Sequence, residues 1–171
     1  IPPAYFTDKN GNSSLKATWY SEGDMNIMAS VKSDMDINRI FVDGAQPDAS
    51  VPANQPFSVI WEGEIYPPES GQYLLGVETN QGVRMYINDQ QLIDEYYNES
   101  PIKQDRPVIM EAGKPVKVRL VYRQTRQSGK IQLKWSQPSA TAIAPEKLFD
   151  RVKNDGTTLI LLDATETWMQ A

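Results

Sequence analysis

Phe57-Ser58-Val59-Ile60-Trp61-Glu62-Gly63-Glu64-Ile65 sets Phe57, Val59 and Trp61 on one side of an extended chain and leads into the turn Pro67-Pro68-Glu69-Ser70-Gly71. Successive side chains of a strand point to opposite faces, so apolar residues two apart mark a half-buried strand. The same period returns in Tyr73, Leu75 and Val77, and again in Val83, Met85 and Ile87. It recurs in Val116, Val118, Leu120 and Tyr122, and finally in Ile131, Leu133 and Trp135. Polar turns separate these segments. Short alternating strands joined in this way predict an all-β chain, an antiparallel sandwich or barrel. Trp61 and Trp135, on the apolar faces of their strands, are expected in its core.

Upstream, residues 15–20 read as a first strand, and 27–32 and 37–42 as two more. Residues 43–56 carry Pro47, Pro52 and Pro56; proline donates no ladder hydrogen bond, so this segment reads as a loop. Residues 1–14, with Pro2-Pro3 and Asn10-Gly11-Asn12, read as an N-terminal linker, and 15–149 as the β module. Residues 150–171 read as a linker and the start of a following domain. There Thr157-Thr158-Leu159-Ile160-Leu161-Leu162 is apolar on both faces, as in a strand buried in a parallel sheet. Asp163 or Thr165 then offers a helix cap. This short α/β-like tail is either the first step of an α/β domain or a strand completing a neighbour.

The 171 residues contain no cysteine and no histidine. Disulfides, thiol chemistry and the serine–histidine and cysteine–histidine arrangements are therefore excluded within the chain. With 17 basic and 22 acidic residues, whole-chain binding to nucleic acid or anionic lipid is disfavoured. No apolar run approaches the ~20 residues of a membrane helix, so no membrane insertion is expected. The chain starts Ile1-Pro2-Pro3, without initiator methionine or signal peptide, and reads as a processed or excised piece.

Several ordered segments together resemble the family named after the N-terminal domain of anthrax protective antigen, the PA14 domain. They are the aromatic strand 57–65, the turn and strand entry 67–73, and Val83-Arg84-Met85-Tyr86-Ile87-Asn88-Asp89 continuing to Leu92-Ile93-Asp94. Glu111-Ala112-Gly113-Lys114, Ile131-Gln132-Leu133-Lys134-Trp135 and Pro145-Glu146-Lys147-Leu148-Phe149 complete the set. The resemblance implies a β-sandwich and a secreted, periplasmic or cell-surface location. It also implies a non-catalytic carbohydrate-binding or accessory role, attached to a glycoside hydrolase. Its partners would be a poly- or oligosaccharide and other domains of the same parent. Two alternatives remain open: a protein–protein or structural module as in toxin-binding components, and a calcium-dependent adhesin lectin. Sugar-binding members hold calcium on two consecutive aspartates just before the glycine that opens this strand. Here Asn80-Gln81 precede Gly82. Calcium favours several anionic oxygens, so calcium is disfavoured and no cofactor is expected.

Candidate ligand contacts follow from chemistry and from the resemblance. Tyr96 and Tyr97 offer aromatic faces to the C–H faces of a sugar ring. Arg123 and Arg126 lie in the loop that corresponds to a ligand loop of the sugar-binding members, and arginine donates paired hydrogen bonds. Asn80, Gln81 and Arg84 complete the set. Arg84, Lys117, Arg119, Lys130 and Lys134 point away from the apolar faces of their strands. They would form one basic surface for an acidic polysaccharide if those strands were neighbours. The carboxylate pairs Glu62/Glu64 and Asp34/Asp36 are the sole hint of glycosidase chemistry, and nothing around them suggests a cleft.

Overall fold

A computed structural model describes residues 1–8, 10–126 and 128–138. The expected tail at 150–171 and the Pro145–Phe149 motif lie outside the described residues. The elements are a 3₁₀ turn (Pro3–Tyr5) and strands β1 (Phe6–Thr7), β2 (Leu15–Tyr20), β3 (Met28–Asp34), β4 (Asn38–Phe41), β5 (Phe57–Ile65), β6 (Gly71–Thr79), β7 (Gly82–Ile87), β8 (Gln90–Glu95), β9 (Ile102–Met110), β10 (Val116–Gln124) and β11 (Gly129–Ser136).

They form two antiparallel sheets. One has seven strands, in the order β3-β2-β5-β10-β7-β8, with β1 beside the end of β5; the other has four, in the order β4-β11-β6-β9. The architecture is an antiparallel sandwich, as the alternation predicted. Inward residues of the two sheets meet in one core that includes Leu15, Trp61, Leu75, Met85, Leu120 and Ile131. At one end of it Trp19, Phe41, Phe57, Trp61 and Tyr122 contact one another, with Phe41 and Phe57 centroids 4.9 Å apart. Trp61 is fully buried, and its Nε1 donates to Asp34 Oδ2 at 2.8 Å. Trp135 is only partly buried; its ring packs on Tyr73 and Tyr5. Pro107 lies in β9, an edge strand, where a missing donor costs least.

Residues 1–14, read from the sequence as a linker, pack against the sandwich. Phe6 is buried and pairs with Ile65, the Ile1 amino group bonds the Leu133 carbonyl at 3.4 Å, and Leu15 Cδ2 seats against Gly63. Pro138 packs beside Gly71, at the start of β6. Ile65 and Gly71 flank one short turn, so the described chain both enters and leaves at that end of the sandwich.

Candidate functional site

The opposite end is made of loops. Tyr20 pairs with Ser58, Gln124 with Phe57, Arg123 with Gly82 and Val83 with Glu95, so these strand ends are level. The β2–β3, β6–β7, β8–β9 and β10–β11 connections therefore meet there. All seven sequence-predicted ligand contacts sit at this end, but they divide into two kinds.

The first kind is an aromatic–guanidinium cluster. Ile60 and Val121 point outward from β5 and β10 yet are buried, because Tyr96 closes over them together with Tyr20, Met25 and Tyr86. The Tyr96 hydroxyl donates to the Gly23 carbonyl at 3.0 Å, and Ser58 Oγ donates to the same oxygen at 2.6 Å. This fixes the β2–β3 loop against the sheet. Burial raises the Tyr96 pKa. Tyr97, next in sequence, is 74% exposed and stands edge-on to Tyr96 with centroids 5.1 Å apart. Arg84 Cζ lies 4.4 Å from the Tyr96 centroid and 6.0 Å from that of Tyr97. Arg123 Cζ lies 5.7 and 5.5 Å from the same two rings. Such distances give cation–π attraction. Asp94 holds Arg84 at 2.8 Å, and that bond lowers the carboxyl's pKa. Arg123 Nε lies 3.4 Å from Asp24 Oδ1 at an angle that leaves it without a hydrogen bond. The result is an exposed ring whose underside and rim are fixed, beside a recess of about 370 Å³ bounded by Glu22, Asp24, Gln55 and Arg123.

The second kind is structural. Gln81 is fully buried: its Nε2 donates to the Ser128 carbonyl at 3.0 Å, and its Oε1 accepts from the Thr125 amide at 3.3 Å. Asn80 Oδ1 accepts the Lys130 amide at 2.8 Å. Arg126 pairs with Glu99 at 3.2 Å, and Glu99 also accepts from Thr125, which lowers its pKa. These contacts bind the β6–β7, β8–β9 and β10–β11 loops together. They also decide the fit of calcium. The amide oxygens at 80 and 81 are occupied by backbone N–H groups, and neither position supplies a charge. Among the described residues no group of three or more acidic or histidine side chains converges on a point. These residues do not fit the ion.

The expected single basic surface does not form. Arg84, Lys117 and Arg119 lie on the outer face of the larger sheet, whereas Lys130 and Lys134 lie on the outer face of the smaller one, across the core. Each is also paired. Glu78 takes both Lys130, at 2.7 Å, and Lys134, and those bonds hold its pKa at about 2. Of the carboxylate pairs, Glu62 is bound by Lys16 at 2.7 Å, and Glu64 accepts from Tyr66 at 2.9 Å. Asp34 is buried, its two carboxylate oxygens taken by Trp61 and Arg39. Sequence reasoning missed Gly23, Asp24, Asp94 and Gly82. Gly82 had a signal, since it directly follows the Asn80-Gln81 turn; the others had none, because only tertiary contacts bring them together.

The PA14 domain profile matches residues 11–148. The anti-sigma-I factor RsgI3 of Acetivibrio thermocellus is 29% identical over 134 residues, which are 78% of this chain and 20% of that protein. The β-glucosidase of Kluyveromyces marxianus, solved with glucose, superposes with a TM-score of 0.63 at 18% identity over 90% of this chain and 19% of its own. A PA14 sugar-binding domain from an RTX adhesin superposes with a TM-score of 0.57 at 15% identity over 72% of this chain and 89% of its own. The chain thus spans about a fifth of its curated relative, while the family profile covers most of this chain, residues 11–148. This chain belongs to the PA14 domain family.

Proposed function

We propose that this chain is a non-catalytic carbohydrate-binding module of a larger extracellular or cell-surface protein, and that it works without a metal. The observation that carries the reading is Tyr97. A tyrosine 74% exposed, held edge-on by a buried neighbour and flanked by two oriented guanidiniums, is a preformed platform for the apolar face of a sugar. Asp24, Asp94 and the arginines supply acceptors and donors for hydroxyls around it. Gln81 and Asn80 preorganise the same loops with hydrogen bonds, which removes the need for an ion to do so. The sugar-binding adhesin domain and the β-glucosidase support the ligand class and a glycoside hydrolase parent. The anti-sigma factor relative admits a regulatory parent with the same module task.

The test is a glycan array probed with calcium and with chelator. Binding should persist in chelator, and Tyr97→Ala should weaken it about tenfold, the worth of one lost aromatic contact. Binding that vanishes in chelator, or that ignores Tyr97→Ala, overturns the reading.

A further inference from the structure

Tyr97 is not alone under a guanidinium on this side of the molecule. On the outer face of the larger sheet Arg119 Cζ lies 5.4 Å from the Tyr86 centroid, and the two residues pair across β10 and β7. Arg84 and Tyr86 alternate along β7, so they share that face about 7 Å apart. Tyr86 and Tyr96 pack on the same Ile60–Val121 base. A strip therefore runs from Tyr97 at the loop end, through Arg84, to Tyr86 and Arg119 in the middle of the sheet. Past Tyr86 it opens into a recess of about 220 Å³ between Glu62, Glu64, Lys117 and Arg119.

The charges along this strip cancel locally. Asp94 holds Arg84 at 2.8 Å, Asp89 holds Lys117 at 3.2 Å, and Glu62 stands between Lys16 at 2.7 Å and Arg119 at 3.6 Å. An acidic polymer would have to displace these carboxylates and would meet Glu62 and Glu64 in the recess. A neutral polymer meets paired groups that can still share hydrogen bonds with hydroxyls, with the exposed ring of Tyr97 and the half-buried ring of Tyr86 as apolar contacts. We infer, resting on the carbohydrate reading above, that the ligand is an internal stretch of a neutral polysaccharide laid along this outer face. Tyr97 holds one part of it and the Tyr86–Arg119 recess another. The site is then longer than one sugar ring, and its recognition is of a chain and not of a chain end.

Affinity electrophoresis of the full chain through soluble cellulose derivative, arabinoxylan and polygalacturonate tests this, followed by oligosaccharides of graded length from whichever polymer retards it. Tyr86→Ala and Arg119→Gln should each lower affinity for the polymer and longer oligomers about tenfold while leaving the monosaccharide unchanged. Tyr97→Ala should weaken all lengths. Arg119→Gln stands on an exposed side chain, so the test survives any folding defect of Tyr86→Ala. The inference is overturned if neither strip variant affects the polymer, if affinity stops rising at the monosaccharide, or if polygalacturonate alone retards the chain. Retardation by none of the polymers overturns the carbohydrate reading itself, and this inference with it.

Discussion

Gly82 is a steric keystone, and Gly82→Ala tests how tightly the loop end is built. Its backbone is ordinary, so no conformational strain enters; the constraint is space. A Cβ there would sit 2.0 Å from the Tyr96 carbonyl oxygen and 2.9 Å from its carbonyl carbon. Cβ atoms do not approach closer than about 3 Å, and backbone cannot swing aside as a side-chain tip can, so β7 or the 95–97 segment must move by about an ångström. Overpacking of this kind costs about 1–3 kcal/mol. The same shift pulls the Tyr96 hydroxyl from Gly23, worth about 1 kcal/mol more. The expected loss is about 2–4 kcal/mol, read as a fall in the urea midpoint at unchanged slope. Gly113→Ala is the control. Gly113 has φ +68° and nothing within 4 Å, so it should lose only about 1–2 kcal/mol, from backbone strain. A Gly82→Ala protein as stable as wild type, or less affected than Gly113→Ala, would refute the reasoning.

Trp61→Phe should cost about 2–4 kcal/mol, from lost volume and from the Nε1 bond to Asp34, and should be non-additive with Asp34→Asn in a double-mutant cycle. Additive values would show that the bond contributes nothing. Gln81→Ala should cost about 1–3 kcal/mol, because it leaves the Thr125 amide and the Ser128 carbonyl unpartnered; thermal unfolding measures it, and a neutral result would mean water replaces the side chain. Glu78 titrates at about 2 in the fold against 4.5 ordinarily, its bonds to Lys130 and then Lys134 being the cause. Its depressed pKa means that its stabilisation is full above about pH 4.5 and is lost as pH falls towards 2. Glu78→Gln should therefore flatten the acid limb of a stability–pH curve below 4.5 and leave that limb's shape above it unchanged.

The alternation at 57–61, 73–77, 83–87 and 116–122 carried the sandwich, because side-chain period follows directly from strand geometry. It did not carry sheet membership. Lys130 and Arg119 both point outward from their strands, yet outward from β11 and outward from β10 are opposite sides of the molecule. Residues 6–7 form too short a strand to show any period, so β1 was invisible. Ile60 and Val121 fall on the outward phase of that alternation and do face outward; what buries them is Tyr96, brought from the far side of a hairpin. Tyr96 and Tyr97 were read as one pair, and the chain turns one into a core and the other into a surface. Gln81 was read as a ligand contact because its neighbours in the resemblance bind a metal. Its amide can satisfy a carbonyl and an N–H of the β10–β11 loop at once, which a carboxylate cannot, since a carboxylate has no N–H for the Ser128 carbonyl.

Entry and exit at one end of the sandwich bear on how this protein responds to force. If the chain is pulled from both sides while Tyr97 grips something large, tension enters through β1 and Pro138 and reaches the loop end only through the length of the sheets. The first contacts to yield along the N-terminal route are the bond of the Ile1 amino group to the Leu133 carbonyl and that of the Tyr66 N–H to the Tyr5 carbonyl, followed by the two residue pairs of β1 with β5, which can unzip one after the other. The rings and arginines lie off the line of pull between the two tails. A short sacrificial strand at the tethered end would lengthen the leash under load before the grip at the other end is disturbed.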